Sequence, residues 1–276
     1  MFRLALIACA TFVIAFSIGS ASADTLDNVK AKGTLVVGVK ADYPPWGMRD
    51  QAGNIVGLEI DMANDVAKRL GVKLQLVPVE SSNRMQFLQQ GKIDVMIATF
   101  SVNDERRKTV GVVEPLYYAS GGGLLAKNGS GIAGLKDLQG KKVCANQGSY
   151  FNKEVAEKYV QGNLLAFKGV PESEQALLSD QCSVYLFDDV ILIYKKTSDP
   201  AKWKDYDVIQ LPEIQPLPWA VAVRSDERDG PWGKMMSSIV SDWHRSGMLL
   251  ALEKKWLGQN TRWLEDMHAK AKAGQH

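Results

Sequence analysis

The sequence predicts an α/β protein of two lobes, each a mainly parallel sheet flanked by helices, with the second lobe inserted into the first and a two-strand hinge joining them. Three observations predict it. Apolar runs of strand length alternate with segments of helical spacing along the chain, the pattern of βαβ units. The alternation breaks twice, at ASGGG near residues 119–122 and at LPEIQPLPW near residues 212–220, the latter with three prolines. Two crossings between two α/β units form a connection that can hinge.

In order, TLVVGV reads as the first strand, and the stretch ADYPPWGMRDQAGN after it is rich in turn residues. Ile60, Met62, Ala63, Val66, Ala67 and Leu70 keep helical spacing, and Gly71 ends that helix. KLQLVPV is a strand. Ser81 or Ser82 caps a short helix through Met85 and Leu88 to Gly91. Ile93, Val95, Met96, Ile97 and Ala98 then form an apolar run typical of a strand covered on both faces. The second unit reads LLAKN, KKVCAN, a helix over 150–160, LLAFKG, a helix over 174–179, VYLF and a helix from Asp189. Helices over 231–256 follow the second break, and the polar tail LEDMHAKAKAGQH is expected to fray. The expected division is 1–23 as a signal peptide, 24–118 and 219–276 as one lobe, and 119–218 as the other.

That signal peptide is read from Arg3, the apolar run Leu4 to Ile18, and Ala21-Ser22-Ala23 at the cleavage point. The run is shorter than the roughly 20 residues of a membrane span. Leu6-Ile7-Ala8-Cys9 also resembles a lipoprotein box, but apolar sequence continues past Cys9 where a polar tether belongs. The expected product is a soluble periplasmic monomer. Its formal charge of +2 falls by one when Arg3 is removed, so no polyanion-binding footprint exists and no nucleic-acid partner is expected. A hydrophobic content of 46% is ample for a core and argues against disorder. Cys144 and Cys182 remain as an even pair in an oxidising compartment; they form either a disulfide or two inert buried thiols.

The most informative stretch is GKIDVMIATFSVNDERRKTVGVVEPLYY, residues 91–118. Thr99 and Ser101 stand at the carboxyl end of a buried strand, where open α/β sheets bind ligands. Asn103 caps a turn of Asp104, Glu105 and Arg106. Two hydroxyls, free N–H groups and a guanidinium form a socket for a small anion, most simply a carboxylate. Other motifs fail. Gly129, Gly131 and Gly134 satisfy G-x-G-x-x-G, but the next strand, KKVCAN, starts too soon for a crossover helix. His244, His268 and His276 are scattered, so no metal ligand set, catalytic residue or cofactor is assigned.

Taken together, the chain resembles the amino-acid-binding branch of the bacterial extracellular solute-binding proteins, family 3, of ATP-driven importers. The resemblance rests on GTLVVGVKADYPPWG, GLEIDMANDVAKRLGV, NRMQFLQQGKIDVMIATFSVNDER, LKDLQGKKVCANQGS and SVYLFDD, in that order. It implies a type II periplasmic-binding-protein fold, a free amino acid closed between the lobes, and delivery to an inner-membrane ABC permease. By resemblance, Arg106 grips the ligand α-carboxylate with Thr99 and Ser101, and Ser149 reaches it from the other lobe. Asp188 receives the α-ammonium, and Tyr43 and Trp46 wall the side chain. Arg84 matches the arginine that pairs with an acidic side chain, so glutamate, aspartate or a polar relative is the expected ligand. Tyr150 departs from the small hydroxyl residue common at its position; its ring narrows the cleft and can touch ligand. Ala98 and Phe151 lack polar groups found in binders of basic amino acids.

Two rival functions share the scaffold. One is an enzyme of the cyclohexadienyl or arogenate dehydratase kind, with Asp188 as the acid. The other is a sensory ligand-binding module acting through a partner.

Overall fold

The computed structural model describes residues 24–275. The expected signal peptide, its cleavage point and Cys9 lie outside the described residues.

α1 (Thr25–Lys32) begins on Asp24, whose carboxylate accepts from Leu26 N, and ends at Gly33 in the left-handed region. β1 (Thr34–Val39) follows, then a small meander of β2 (Asp42–Tyr43), β3 (Gly47–Arg49) and β4 (Ile55–Val56). α2 (Leu58–Leu70) buries Ile60, Met62, Ala63, Val66 and Ala67, the residues on the predicted stripe. β5 (Lys73–Pro78) leads to α3 (Arg84–Gln89), which starts later than the serines suggest: Asn83 Oδ1 accepts from Glu80 N and sets the turn instead. β6 is a ladder of only Val95–Met96, although Ile93 to Ala98 are all buried except Asp94. α4 (Asp104–Thr109) is capped by Asn103, as the spacing predicts, and β7 (Gly111–Val112) closes this half.

β8 (Tyr118–Ser120) crosses into the second unit, built from β9 (Gly122–Lys127), β10 (Val143–Asn146), α5 (Asn152–Lys158), β11 (Leu164–Phe167), α6 (Val170–Leu178), β12 (Val184–Asp188), α7 (Asp189–Ser198) and β13 (Tyr206–Leu211). α5 is shorter than 150–160 because Ser149 to Phe151 form a turn before it. α6 starts before Glu174, with Pro171 in its first turn, where the missing N–H costs nothing. β14 (Leu217–Trp219) returns to the first unit, followed by β15 (Ala222–Val223), α8 (Pro231–Ser246), α9 (Met248–Leu257) and α10 (Arg262–Lys272). The helices expected over 231–256 are two, separated at Gly247 with φ 78°.

The sheets order as β5-β1-β6-β15-β7 and β11-β10-β12-β9-β13. Both are mixed rather than mainly parallel: the βαβ strands run parallel, and the strands entering from the crossings run antiparallel. β8 and β14 pair antiparallel, Tyr118 opposite Trp219, as a two-strand connection between the sheets. Cys144 in β10 is bridged to Cys182, just before the neighbouring β12.

The expectation of a frayed tail is overturned. α10 packs on α8, buries Leu264 and Ala271, and places His268 Nδ1 on the His244 carbonyl. Trp263, Leu264, Met267 and Ala271 share one face of a polar helix, a stripe that a reading of mean polarity overlooks.

Candidate functional site

The carboxyl ends of β6, β10 and β12 meet at one narrow cavity, lined by Ser81, Arg84, Thr99, Ser101, Arg106, Ser149, Tyr150, Phe187 and Asp188. Its free volume is about 10 Å³, about the room that one water needs. Seven of the nine residues predicted to bind ligand line this space.

Arg84 is not a solvated helix residue. It is 3% exposed, and its Nη1 donates to the carbonyls of Ala98 and Thr99, the latter at 3.0 Å. Arg106 donates from Nη1 to Ser101 O and from Nη2 to Gly148 O, each at 2.7 Å. Both guanidinium groups lie over the Phe100 ring, at 5.1 and 5.2 Å from its centroid. Burial, and then the like charge of Arg84, lowers the Arg106 pKa to about 9. Two buried cations so close together favour an anion between them.

Opposite them, Asp188 ends β12. Burial raises its pKa to about 6, opposed by the hydrogen bond that Tyr43 donates to its Oδ2 at 2.7 Å. Ser149 follows Gly148 on the same side. Among the described residues, Arg84 Nε, Ser149 Oγ and Tyr150 OH are buried without a hydrogen-bond partner. A buried polar atom without a partner costs about 1–3 kcal/mol, so three around one cavity mark it for a polar ligand.

Tyr43 and Trp46 stand elsewhere. Tyr43 reaches the site only through its hydroxyl on Asp188. Trp46 does not line the cavity; it is fully buried behind Tyr43, edge-on to Tyr43, Tyr118 and Trp219. Their rings form an aromatic core beside the crossing strands.

Four contributors escape the motif reading. Phe187 lines the cavity and stacks on Tyr185, and Ser81 joins it from the loop before α3. Gly148, with φ 79°, presses against the Ser81–Ser82 backbone. Glu59, in the GLEID segment, is fully buried and accepts from Thr99 N at 2.7 Å and from the Tyr117 hydroxyl. Phe187 could have been found as the neighbour of Asp188 on an alternating strand; the other three are set by tertiary approach.

Residues 35–259 match the family model of the bacterial extracellular solute-binding proteins, family 3. The chain belongs to that family. Among curated proteins, it is 29% identical to the ABC transporter glutamine-binding protein GlnH of Bacillus subtilis, over 94% of this chain and 98% of that one. It is 30% identical to the L-cystine-binding protein TcyJ of Escherichia coli, over 84% and 86% of the two chains. Among solved structures it superposes on the ancestral amino acid-binding protein AncCDT-1, a precursor of cyclohexadienyl dehydratase, with a TM-score of 0.74 and 26% identity, over 84% of this chain and 99% of that one. This solute-binding protein thus has the two-lobe α/β architecture of amino-acid-binding relatives.

Proposed function

We propose that this chain is a periplasmic receptor that closes on one free amino acid, with glutamate or aspartate as its best substrate, and presents it to an ABC permease. The observation that carries the reading is the charge of the cavity wall. Arg84 and Arg106 lie over one ring, and Asp188 faces them from the other sheet. Arg106 with Ser101 and Ser149 suits an α-carboxylate, Asp188 an α-ammonium, and the second cation, Arg84, a side-chain carboxylate. Two cations against one carboxylate favour a ligand with one net negative charge, which an acidic amino acid has at neutral pH. A neutral amide fills the same space with one charge-assisted bond fewer.

The groups come from both lobes, so the ligand gains its full set of bonds only on closure, and binding drives closure. A thermal-shift series over the common L-amino acids, L-cystine, glutarate and 4-aminobutyrate tests this, because a ligand raises stability by RT ln(1 + [L]/Kd). L-Glutamate or L-aspartate is expected to give the largest shift, with glutarate far behind for want of an ammonium. Arginine or lysine in first place, or no shift with any compound, overturns the reading.

A dehydratase reading has one observation in its favour: Asp188 is buried with a raised pKa beside a likeness to a dehydratase precursor. Free-amino-acid capture accounts better for keeping both Arg106 and Asp188. Turnover of prephenate or arogenate would reverse the preference.

A further inference from the structure

Glu59 has no place in the ligand contacts above, yet it is fully buried at the start of α2, directly behind the socket. Its Oε1 accepts from Thr99 N at 2.7 Å and also from the hydroxyl of Tyr117, one residue before the crossing strand β8. Oε2 is buried without a hydrogen-bond partner among the described residues. Thr99 itself has φ 46°. A β-branched residue there is strained by roughly 1–2 kcal/mol, and it persists only where its surroundings compel it. Two buried charged side chains compel it. Arg84 donates to the Thr99 carbonyl, and Glu59 receives its amide, so the peptide units on both sides of the strained Cα are held by buried charged groups. The same loop is tied to the returning strand: Val102 N donates to Pro218 O, Ala220 N to Phe100 O, and Ser101 bridges Trp219.

We propose that Glu59 is a positioning residue of this binding protein: one buried carboxylate oxygen fixes the strained Thr99 backbone in the wall of the ligand socket and, through Tyr117, ties that wall to the strand on which the lobes hinge. The proposal rests on the reading of Arg106, Thr99 and Ser101 as a carboxylate socket.

The groups that face Glu59 set how it responds to ligand. Tyr117 and the Thr99 amide donate to it, and Arg84 on α3 and Lys40 at the end of β1 oppose its burial, which nonetheless raises its pKa to about 7. A ligand carboxylate entering the socket draws on the field of the same Arg84. Its arrival therefore favours protonated Glu59, and affinity falls as pH rises through about 7. A glutamine can keep both bonds, because both end on Oε1, but it cannot titrate.

The test is calorimetric titration of the full chain, between pH 6 and 8, with whichever of the common L-amino acids or L-cystine binds wild type most tightly. Glu59→Ala is expected to weaken binding by about tenfold or more, the loss of a charge-assisted bond, with its circular dichroism retained. Glu59→Gln is expected to stay within about threefold of wild type at pH 6 and to lose the decline across pH 7, the fold-change that one titrating group supplies. If Glu59→Ala does not fold, the Glu59→Gln profile decides alone. Glu59→Ala at wild-type affinity, or Glu59→Gln with the wild-type pH slope, overturns the proposal and leaves the socket standing. Wild type that binds no amino acid overturns the socket, and this proposal with it.

Discussion

Arg106 and Gly148 join the two lobes beside the proposed ligand site: Arg106 Nη2 donates to the Gly148 carbonyl at 2.7 Å, while Nη1 is held by Ser101 O. One guanidinium therefore orders the strand end of its own lobe and grips the turn of the other. Its position over Phe100 and its burial at 7% exposure leave little room for a hydrated lysine in its place. Arg106→Ala and Arg106→Lys are both expected to cost about 2–5 kcal/mol in amino-acid binding, a loss of at least thirtyfold. Calorimetry on folded protein checks this; an Arg106→Lys variant with wild-type affinity would contradict the two-pronged role.

Gly148 makes that contact possible by having no side chain. A Cβ there would stand 2.6 Å from Ser81 C and O and 2.7 Å from Ser82 N, at φ 79°. These are backbone atoms of the facing lobe, so they cannot swing away. Gly148→Ala is expected to hold the lobes apart while leaving each lobe folded. Small-angle scattering should then show no contraction on adding ligand, and affinity should fall at least tenfold, the cost of roughly 1–2 kcal/mol for a left-handed alanine plus the lost closure. Contraction equal to wild type would refute the steric argument.

The pH response of Asp188 follows from its pKa of about 6, raised by burial above the usual 3.8. A raised carboxyl pKa means that the folded protein prefers the protonated form. The ligand-free protein therefore loses stability from this group as pH rises from about 4 to 6. Ligand reverses the preference, because an ammonium needs the carboxylate. Affinity should fall as pH drops through about 6, and Asp188→Asn should bind weakly and without that acid limb. If Glu59 acts as proposed, wild-type affinity peaks between about 6 and 7, and the two variants each remove a different side of the peak. An acid limb that survives in Asp188→Asn would assign it to another group.

Cys144–Cys182 spans a sequence separation of 38 in the second sheet, and neither cysteine lines the cavity. In the chain-entropy account such a bridge contributes about 3–4 kcal/mol. Reduction, or the double substitution to serine, should lower Tm by roughly 10 °C for a chain of this size. The Kd for the amino acid, measured well below that temperature, should not change. A changed Kd would mean that the bridge shapes the cleft.

Much of this arrangement is legible in the chain because strand ends and caps are local. Thr99, Ser101, Asn103 and Arg106 fall within eight residues, and Asn103 accepts from Arg106 N as its spacing predicts. Asp188 ends a continuous apolar strand. What escapes is set by approach rather than by spacing. Gly148 reads as one turn glycine among many until Ser81 is seen against it. Trp46 is a ligand wall by resemblance, yet the crossing strands enclose it with Trp219. Glu59 reads as an ordinary acid in the first turn of a helix, although its carboxylate points inward to a residue forty positions on. α10 reads as a fraying tail because its composition is polar, yet three or four apolar residues at helical spacing suffice to dock it.

Arg84 gives the sharpest test of substrate choice. It is anchored by the Ala98 and Thr99 carbonyls and Phe100, with Nε buried and without a hydrogen-bond partner among the described residues. If its free edge receives a side-chain carboxylate, a neutral amide at that place should move preference from acid to amide. Arg84→Gln is expected to weaken L-glutamate more than L-glutamine, shifting the ratio of the two Kd values by about tenfold or more, the difference of one charge-assisted bond. Part of the absolute affinity should be lost for both, because Arg84 also supports the Thr99 backbone; the ratio isolates the side-chain contact from that support. Equal losses for the two amino acids would make Arg84 a scaffold for Thr99 and place the selection of the side chain on Tyr150 and Phe187 instead.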